Sequence, residues 1–85
     1  MSKITFTENA WDDYLSWQNK DKKTIKKINA LIKDIARSGR EGIGKSERLR
    51  HRDGWSRRID DANRLVYRVG ESSIEIVQCK GHYDD

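Results

Sequence analysis

Trp55-Ser56-Arg57-Arg58-Ile59-Asp60-Asp61-Ala62-Asn63-Arg64-Leu65-Val66-Tyr67-Arg68-Val69 is the stretch whose reading decides the fold. Residues 55–59 and 64–69 are short runs with aromatic and β-branched side chains, and Asp60 to Asn63 between them is turn chemistry. The pair reads as a β-hairpin, so its strands are antiparallel. In the second run Leu65, Tyr67 and Val69 share one face, and Arg64, Val66 and Arg68 the other. Gly70-Glu71-Ser72 marks a second turn, and Ser73 to Cys79 a third strand. The apolar face of this sheet needs a cover.

The N-terminal half supplies one. Ile4-Thr5-Phe6 is a short extended start, and Thr7 suits a helix N-cap. Trp11, Tyr14, Leu15 and Gln18 recur at helical spacing, which predicts a helix over residues 8–19. Asn19-Lys20-Asp21 breaks it, and Asp21 can cap the next. Ile25, Ile28, Ile32, Ile35 and Ala36 then form a helical stripe, with Lys22, Lys23, Lys26, Lys27 and Lys33 mostly off it, up to a stop at Gly39. Gly42 and Gly44 bracket a loop that runs through Lys45 to His51, and Asp53-Gly54 is a further turn. Two N-terminal helices packed on one face of a small, mainly antiparallel sheet make an α+β layer, with an arginine-bearing face left open.

Composition sets the bounds. Of 85 residues, 34% are hydrophobic and 38% charged, so residues 1–85 are expected to form one domain with a small core. A single cysteine, Cys79, allows no internal disulfide and points to a reducing compartment. No stretch has the apolar length of a signal peptide or a membrane span, so a cytoplasmic location is expected. Residues 1–36 hold seven Lys and five acids, a net of +2; residues 37–68 hold nine Arg, one Lys and five acids, +5; residues 69–85 hold one Lys and four acids, −3. Every arginine lies in the middle segment. Planar guanidinium groups fork onto carboxylates and phosphates, so an anionic partner, nucleic acid above all, is expected.

The third strand runs straight into Lys80-Gly81-His82-Tyr83. That places an imidazole, suited to proton transfer near neutral pH, beside a phenol. Upstream, Glu47 sits between Ser46 and Arg48. Two histidines and a cysteine far apart are a poor metal set. No phosphate-cradling glycine loop or serine elbow appears. A carboxylate, a histidine and several arginines suit RNA cleavage by internal transfer. A base takes the ribose 2′-OH proton, the oxygen attacks phosphorus, and an acid protonates the departing 5′ oxygen. The nucleophile belongs to the substrate, so the chemistry needs no metal or cofactor. Plainer readings exist for each residue. Glu47 could be a surface ion pair, His82 a solvated side chain, and Tyr83 a packing residue. Arg64 could pair with Asp60 or Asp61. Trp11, Trp17 and Trp55 fit core or interface better than base stacking, and His51 fits the surface.

These residues carry a family resemblance. Trp11-Asp12-Asp13-Tyr14-Leu15-Ser16-Trp17-Gln18, Lys26-Lys27-Ile28-Asn29-Ala30-Leu31-Ile32-Lys33-Asp34-Ile35, the run from Gly42 to His51, Trp55-Ser56-Arg57-Arg58-Ile59, Arg64-Leu65-Val66-Tyr67 and His82-Tyr83 together resemble the YoeB/Txe toxins. These are ribosome-dependent mRNA interferases of the RelE superfamily. The resemblance spans roughly residues 4 to 83, and its specificity lies in the ordered series of blocks.

It implies a RelE-like α+β fold and endonucleolytic cleavage of mRNA in the ribosomal A site, which inhibits translation. Glu47 falls on the family's general base, His82 on its general acid and Arg64 on its phosphate-stabilising arginine. Tyr83 falls on the tyrosine that helps position substrate. Arg50 matches a phosphate-contacting position that is usually lysine. Arg58 and Lys45 complete the expected RNA-binding set. The implied partners are the ribosome, mRNA and a YefM-type antitoxin whose acidic C-terminal segment would cover the arginine face, with operator DNA reached only through the antitoxin. Members also form homodimers.

The chain departs from the pattern in places. Ser46 and Arg48 replace the prolines that commonly flank the glutamate, which leaves that loop less preorganised. The turn before Trp55 is one residue short. Ala62-Asn63 stands where Glu-His is frequent, and Asp84-Asp85 extends past the tyrosine. The rival expectation is a non-catalytic basic module that grips ribosomal RNA through phosphates and blocks translation.

Overall fold

In the computed structural model, residues 3–38, 46–50 and 53–82 are described. Chain order is β1 (Lys3–Phe6), α1 (Glu8–Lys20), α2 (Lys22–Ser38), β2 (Glu47–Arg48), β3 (Trp55–Arg58), β4 (Arg64–Val69) and β5 (Ser73–Gln78). These strands form one sheet in the order β1-β5-β4-β3-β2. The hairpin β3–β4 and the pairs β4–β5 and β2–β3 are antiparallel, as their short connections require. The extended start differs: it is an edge strand parallel to β5. Glu47 differs as well. It lies in a two-residue strand on the opposite edge, not in a loop.

Both helices begin where capping chemistry allows. Thr7 Oγ1 accepts from the Ala10 amide at 3.1 Å and donates to the Val77 carbonyl at 3.1 Å, so the cap also ties α1 to β5. Asp21 accepts from the amides of Lys23 and Thr24 and from the Thr24 hydroxyl. These bonds hold its carboxyl below its ordinary value, the Thr24 hydroxyl contributing most. Ala10 and Trp17 of α1 and Ile28, Leu31 and Ile35 of α2 then bury against Leu65, Tyr67, Ile74, Ile76 and Cys79. Leu65 and Tyr67 face the helices as the alternation predicts. Val69, at the strand end, is exposed instead. The lysines of α2 are exposed. Among the described residues no helix is long and apolar enough to cross a membrane.

One arginine corrects the charge reading. Ser56, Arg57 and Arg58 alternate across the sheet, so Arg57 points under the helices. It is fully buried there. Its Nη1 donates to Asp34 Oδ2 of α2 at 2.5 Å and its Nε to the Tyr67 hydroxyl at 3.2 Å. Arg37 engages the other Asp34 oxygen at 3.1 Å. The basic middle segment is therefore not one anion-binding cluster. Part of it is core.

β5 carries an irregularity that shapes everything after it. Ile76 opposes Tyr67 and Gln78 opposes Val66, which leaves Val77 as an extra residue, a β-bulge. Both Ile76 and Cys79 can then enter the core despite their odd spacing. Gln78 turns to the arginine face with Val66. Beyond the bulge, α1 holds Cys79 by both backbone groups. Its N–H donates to Asp13 Oδ2 at 3.1 Å, and its carbonyl accepts from the Trp17 indole at 2.8 Å. Burial pushes the Asp13 carboxyl up, partly offset by that N–H and by Lys80.

Burial also pushes the Cys79 thiol up, to about 12. A raised folded-state value means that protonation favours the fold. This contribution is complete below the unfolded thiol's value and is lost as pH climbs towards about 12. Native protein at pH 8 should therefore resist iodoacetamide, and urea-unfolded protein should alkylate within minutes. Equal rates in the two states would contradict the burial.

Candidate active site

Three of the residues singled out in the sequence, Glu47, Arg58 and Arg64, lie on the arginine-bearing face, and register explains why. Ser56 opposes both Glu47 and Val66, and Arg58 opposes Arg64. Directly opposed residues share a face, so Glu47, Ser56, Val66, Arg58 and Arg64 form one surface. Val66 is buried there, outside the main core, and gives that surface an apolar floor.

Arg64 is the centre. Its Nε donates to Ser56 Oγ at 3.1 Å, which fixes the plane of the guanidinium. Its Nη2 lies 3.7 Å from Glu47 Oε2, an ion pair too long for a hydrogen bond. That Nη2 is buried and hydrogen bonds to none of the described residues. A buried, unsatisfied cationic donor costs free energy until an acceptor arrives. Glu47 is the reverse: its side chain is 67% exposed against 22% for Arg64. The carboxylate is held near a positive charge yet is not used up by it.

The other acids of the hairpin do not compete for Arg64. Asp61 engages Arg58, and Asp60 accepts from the Ala62 amide and the Asn63 side chain. The alternative pairing of Arg64 with either turn aspartate is therefore absent. Arg58 stands at the site's rim, exposed. Arg50 is exposed just beyond β2. Lys45 and Tyr83 lie outside the described residues.

The residue before His82 meets Arg64 through the backbone. Past the bulge the chain continues alongside the start of β4, where the Arg64 N–H donates to the Gly81 carbonyl at 3.0 Å. Gly81 has φ +80°, a conformation open to glycine at little cost, and a side chain there would meet no neighbour. Its need for glycine is thus conformational, not steric. From the tail across β4 and β3 to β2 there are three strand spacings, roughly 14 Å between outer backbones. Arg64 stands between the imidazole-bearing tail and the Glu47 carboxylate.

Sequence reasoning missed the supports. Ser56 seemed an ordinary strand residue, Asn63 a turn residue, and Gln78 part of a strand. Asp13 was available as a signal, because an acid one turn before Trp17 on the packing side of a helix needs a partner. Residues 6–83 match the family described as the YoeB-like toxin of bacterial type II toxin–antitoxin systems. Toxin YoeB of Escherichia coli K12 is 51% identical over 83 residues, covering 95% of this chain and 99% of that one. The structure of a YoeB/ParE toxin from Agrobacterium tumefaciens superposes with a TM-score of 0.92 at 42% identity, covering 95% of this chain and 99% of that one. A Staphylococcus aureus YoeB, solved in a YoeB–YefM complex, gives 0.88 at 46% identity over 98% of this chain and 99% of that one. At 48% identity, a dimer of YoeB from the same organism gives 0.90 over 96% of this chain and 98% of that one. The chain belongs to the YoeB-like toxins of bacterial type II toxin–antitoxin systems.

Proposed function

We propose that the toxin is a ribosome-dependent endoribonuclease, a hydrolase-class mRNA interferase that cuts message in the ribosomal A site and so stops translation. The observation that carries this reading is Arg64 Nη2, buried, without a hydrogen-bond acceptor among the described residues, and 3.7 Å from the Glu47 carboxylate. A scissile phosphate is the anion that such a donor would take. Glu47 removes the ribose 2′-OH proton, and O2′ attacks phosphorus. Arg64 neutralises the extra charge on the phosphorane, the P–O5′ bond breaks, and His82 gives its proton to O5′. The products are a 2′,3′-cyclic phosphate, which can open to a 3′-phosphate, and a 5′-hydroxyl end. Base and acid on opposite flanks of Arg64 suit this in-line displacement. Tyr83 positions substrate. Arg50, Arg58 and Lys45 hold flanking phosphates.

An ionised glutamate is a weak base, so geometry must supply much of the rate. Fixed alignment is worth roughly 7–11 kcal/mol. A ribosome that holds the codon rigidly would provide it. A YefM-type antitoxin, by analogy with the S. aureus complex, would lay an acidic segment over the arginine face and cover the site. The complex would reach operator DNA through the antitoxin, and the toxin alone can pair with itself as in the S. aureus dimer.

The test is single-turnover cleavage of one message, naked and ribosome-bound, with its 5′ ends mapped. Ribosome-bound message should be cut far faster, within the A-site codon, and leave 5′-hydroxyl ends. Equal rates on the two substrates would overturn the ribosome dependence. No cleavage of either would overturn the nuclease reading.

A further inference from the structure

His82 lies beyond the last strand, where a chain end usually frays. Here the turn before it is held by two side-chain amides, one from β5 and one from the β3–β4 turn. Gln78 Nε2 donates to the carbonyls of Lys80 at 2.9 Å and His82 at 3.1 Å, with Gly81 at 3.4 Å. Asn63 Oδ1 accepts from the Gly81 N–H at 2.7 Å, while its Nδ2 donates to both Asp60 oxygens at 2.9 and 3.2 Å. One amide supplies the donor and the other the acceptor. Together they fasten the peptide groups on both sides of Gly81.

Each amide depends on a further feature. Gln78 reaches the turn only because the Val77 bulge takes it off the core face. Asn63 is fixed by the Asp60 carboxylate and by its own carbonyl, which accepts from the Ile59 and Asp60 amides.

We propose that Gln78 and Asn63 are positioning residues, which hold the left-handed turn at Gly81 against the start of β4 so that His82 is delivered beside Arg64. The catalytic half of this inference rests on the nuclease reading; the positional half does not. Neither side chain touches the reacting atoms in this scheme. Their effect on rate passes through the imidazole, and a misplacement of about 1 Å can cost about 100-fold.

The experiment uses the full chain with Gln78→Met, close in size but without a donor, and separately Asn63→Ala. Three quantities are measured: Gly81 amide exchange, the His82 ring resonances by NMR, and single-turnover cleavage of ribosome-bound message with ribosome affinity alongside. Both variants should keep the wild-type fold. They should exchange the Gly81 amide at least 10-fold faster, shift the His82 resonances, and cut about 10- to 100-fold more slowly at unchanged affinity. Wild-type exchange and resonances in the variants would overturn the proposal, as would full cleavage despite a loosened tail. If one variant fails to fold, the other decides. If wild-type protein cuts no message, the nuclease reading fails, and exchange and resonances alone judge the positioning.

Discussion

Asp34→Leu alone should cost the fold about 3–5 kcal/mol, because it takes the bonded carboxylate away from a buried guanidinium. Arg57 is fully buried, and its short bond to Asp34 joins α2 to β3 across the core. The Tyr67 hydroxyl, which accepts from Arg57 Nε at 3.2 Å, is neutral and does not replace the lost charge. A domain of this size has about 5–15 kcal/mol in all, so the variant should be near its unfolding limit at 37 °C. Arg57→Met should also be costly, yet less so, since Asp34 reaches the surface at 10% and keeps Arg37 at 3.1 Å. Asp34→Leu combined with Arg57→Met should recover most of the loss, because no unpaired charge is then left inside. Urea unfolding followed by tryptophan fluorescence measures all three. A loss under about 1 kcal/mol in both single variants would mean that water reaches the pair.

This pair also marks where the sequence was legible and where it was not. The period-2 pattern of residues 64–69 located β4 and its faces, and Thr7 and Asp21 announced their helices, because local chemistry alone decides those features. The side taken by Arg57 follows from alternation with Ser56 and Arg58. Composition alone groups it with the exposed arginines. Asp34 stood on the packing side of α2 beside Leu31 and Ile35, which in hindsight asks for a buried cation. The parallel pairing of β1 was not legible, since it depends on contacts 70 residues apart. The bulge was half legible: Ile74, Ile76 and Cys79 are all apolar, and their spacing changes from even to odd. What that odd step does, turning Gln78 to the site, appears only in three dimensions. The sequence neighbours of Glu47 suggested only a surface ion pair, and its role rested on the family resemblance; its relation to Arg64 depends on Ser56 between them.

Glu47→Ala and His82→Ala should each lower single-turnover cleavage of ribosome-bound message by about 100- to 10,000-fold, the range for loss of one proton-transfer group. Neither should weaken the fold noticeably. Both residues are exposed, and the Glu47–Arg64 pair at 3.7 Å is of the surface kind worth about 0–1 kcal/mol. Loss of rate without loss of stability separates chemistry from folding, which Arg57 variants cannot do. The two losses should also differ in kind. Replacing the bridging 5′ oxygen by sulfur gives a leaving group that departs as a thiolate and needs no proton. That substrate should restore much of the rate to His82→Ala and little to Glu47→Ala, since O2′ must still be deprotonated. Rescue of both variants, or of neither, would reject the assigned roles. Growth arrest that survives both substitutions with ribosome binding intact would favour a toxin that blocks translation by occupancy. In that case the unsatisfied Arg64 donor would be holding a ribosomal phosphate in place of a scissile one.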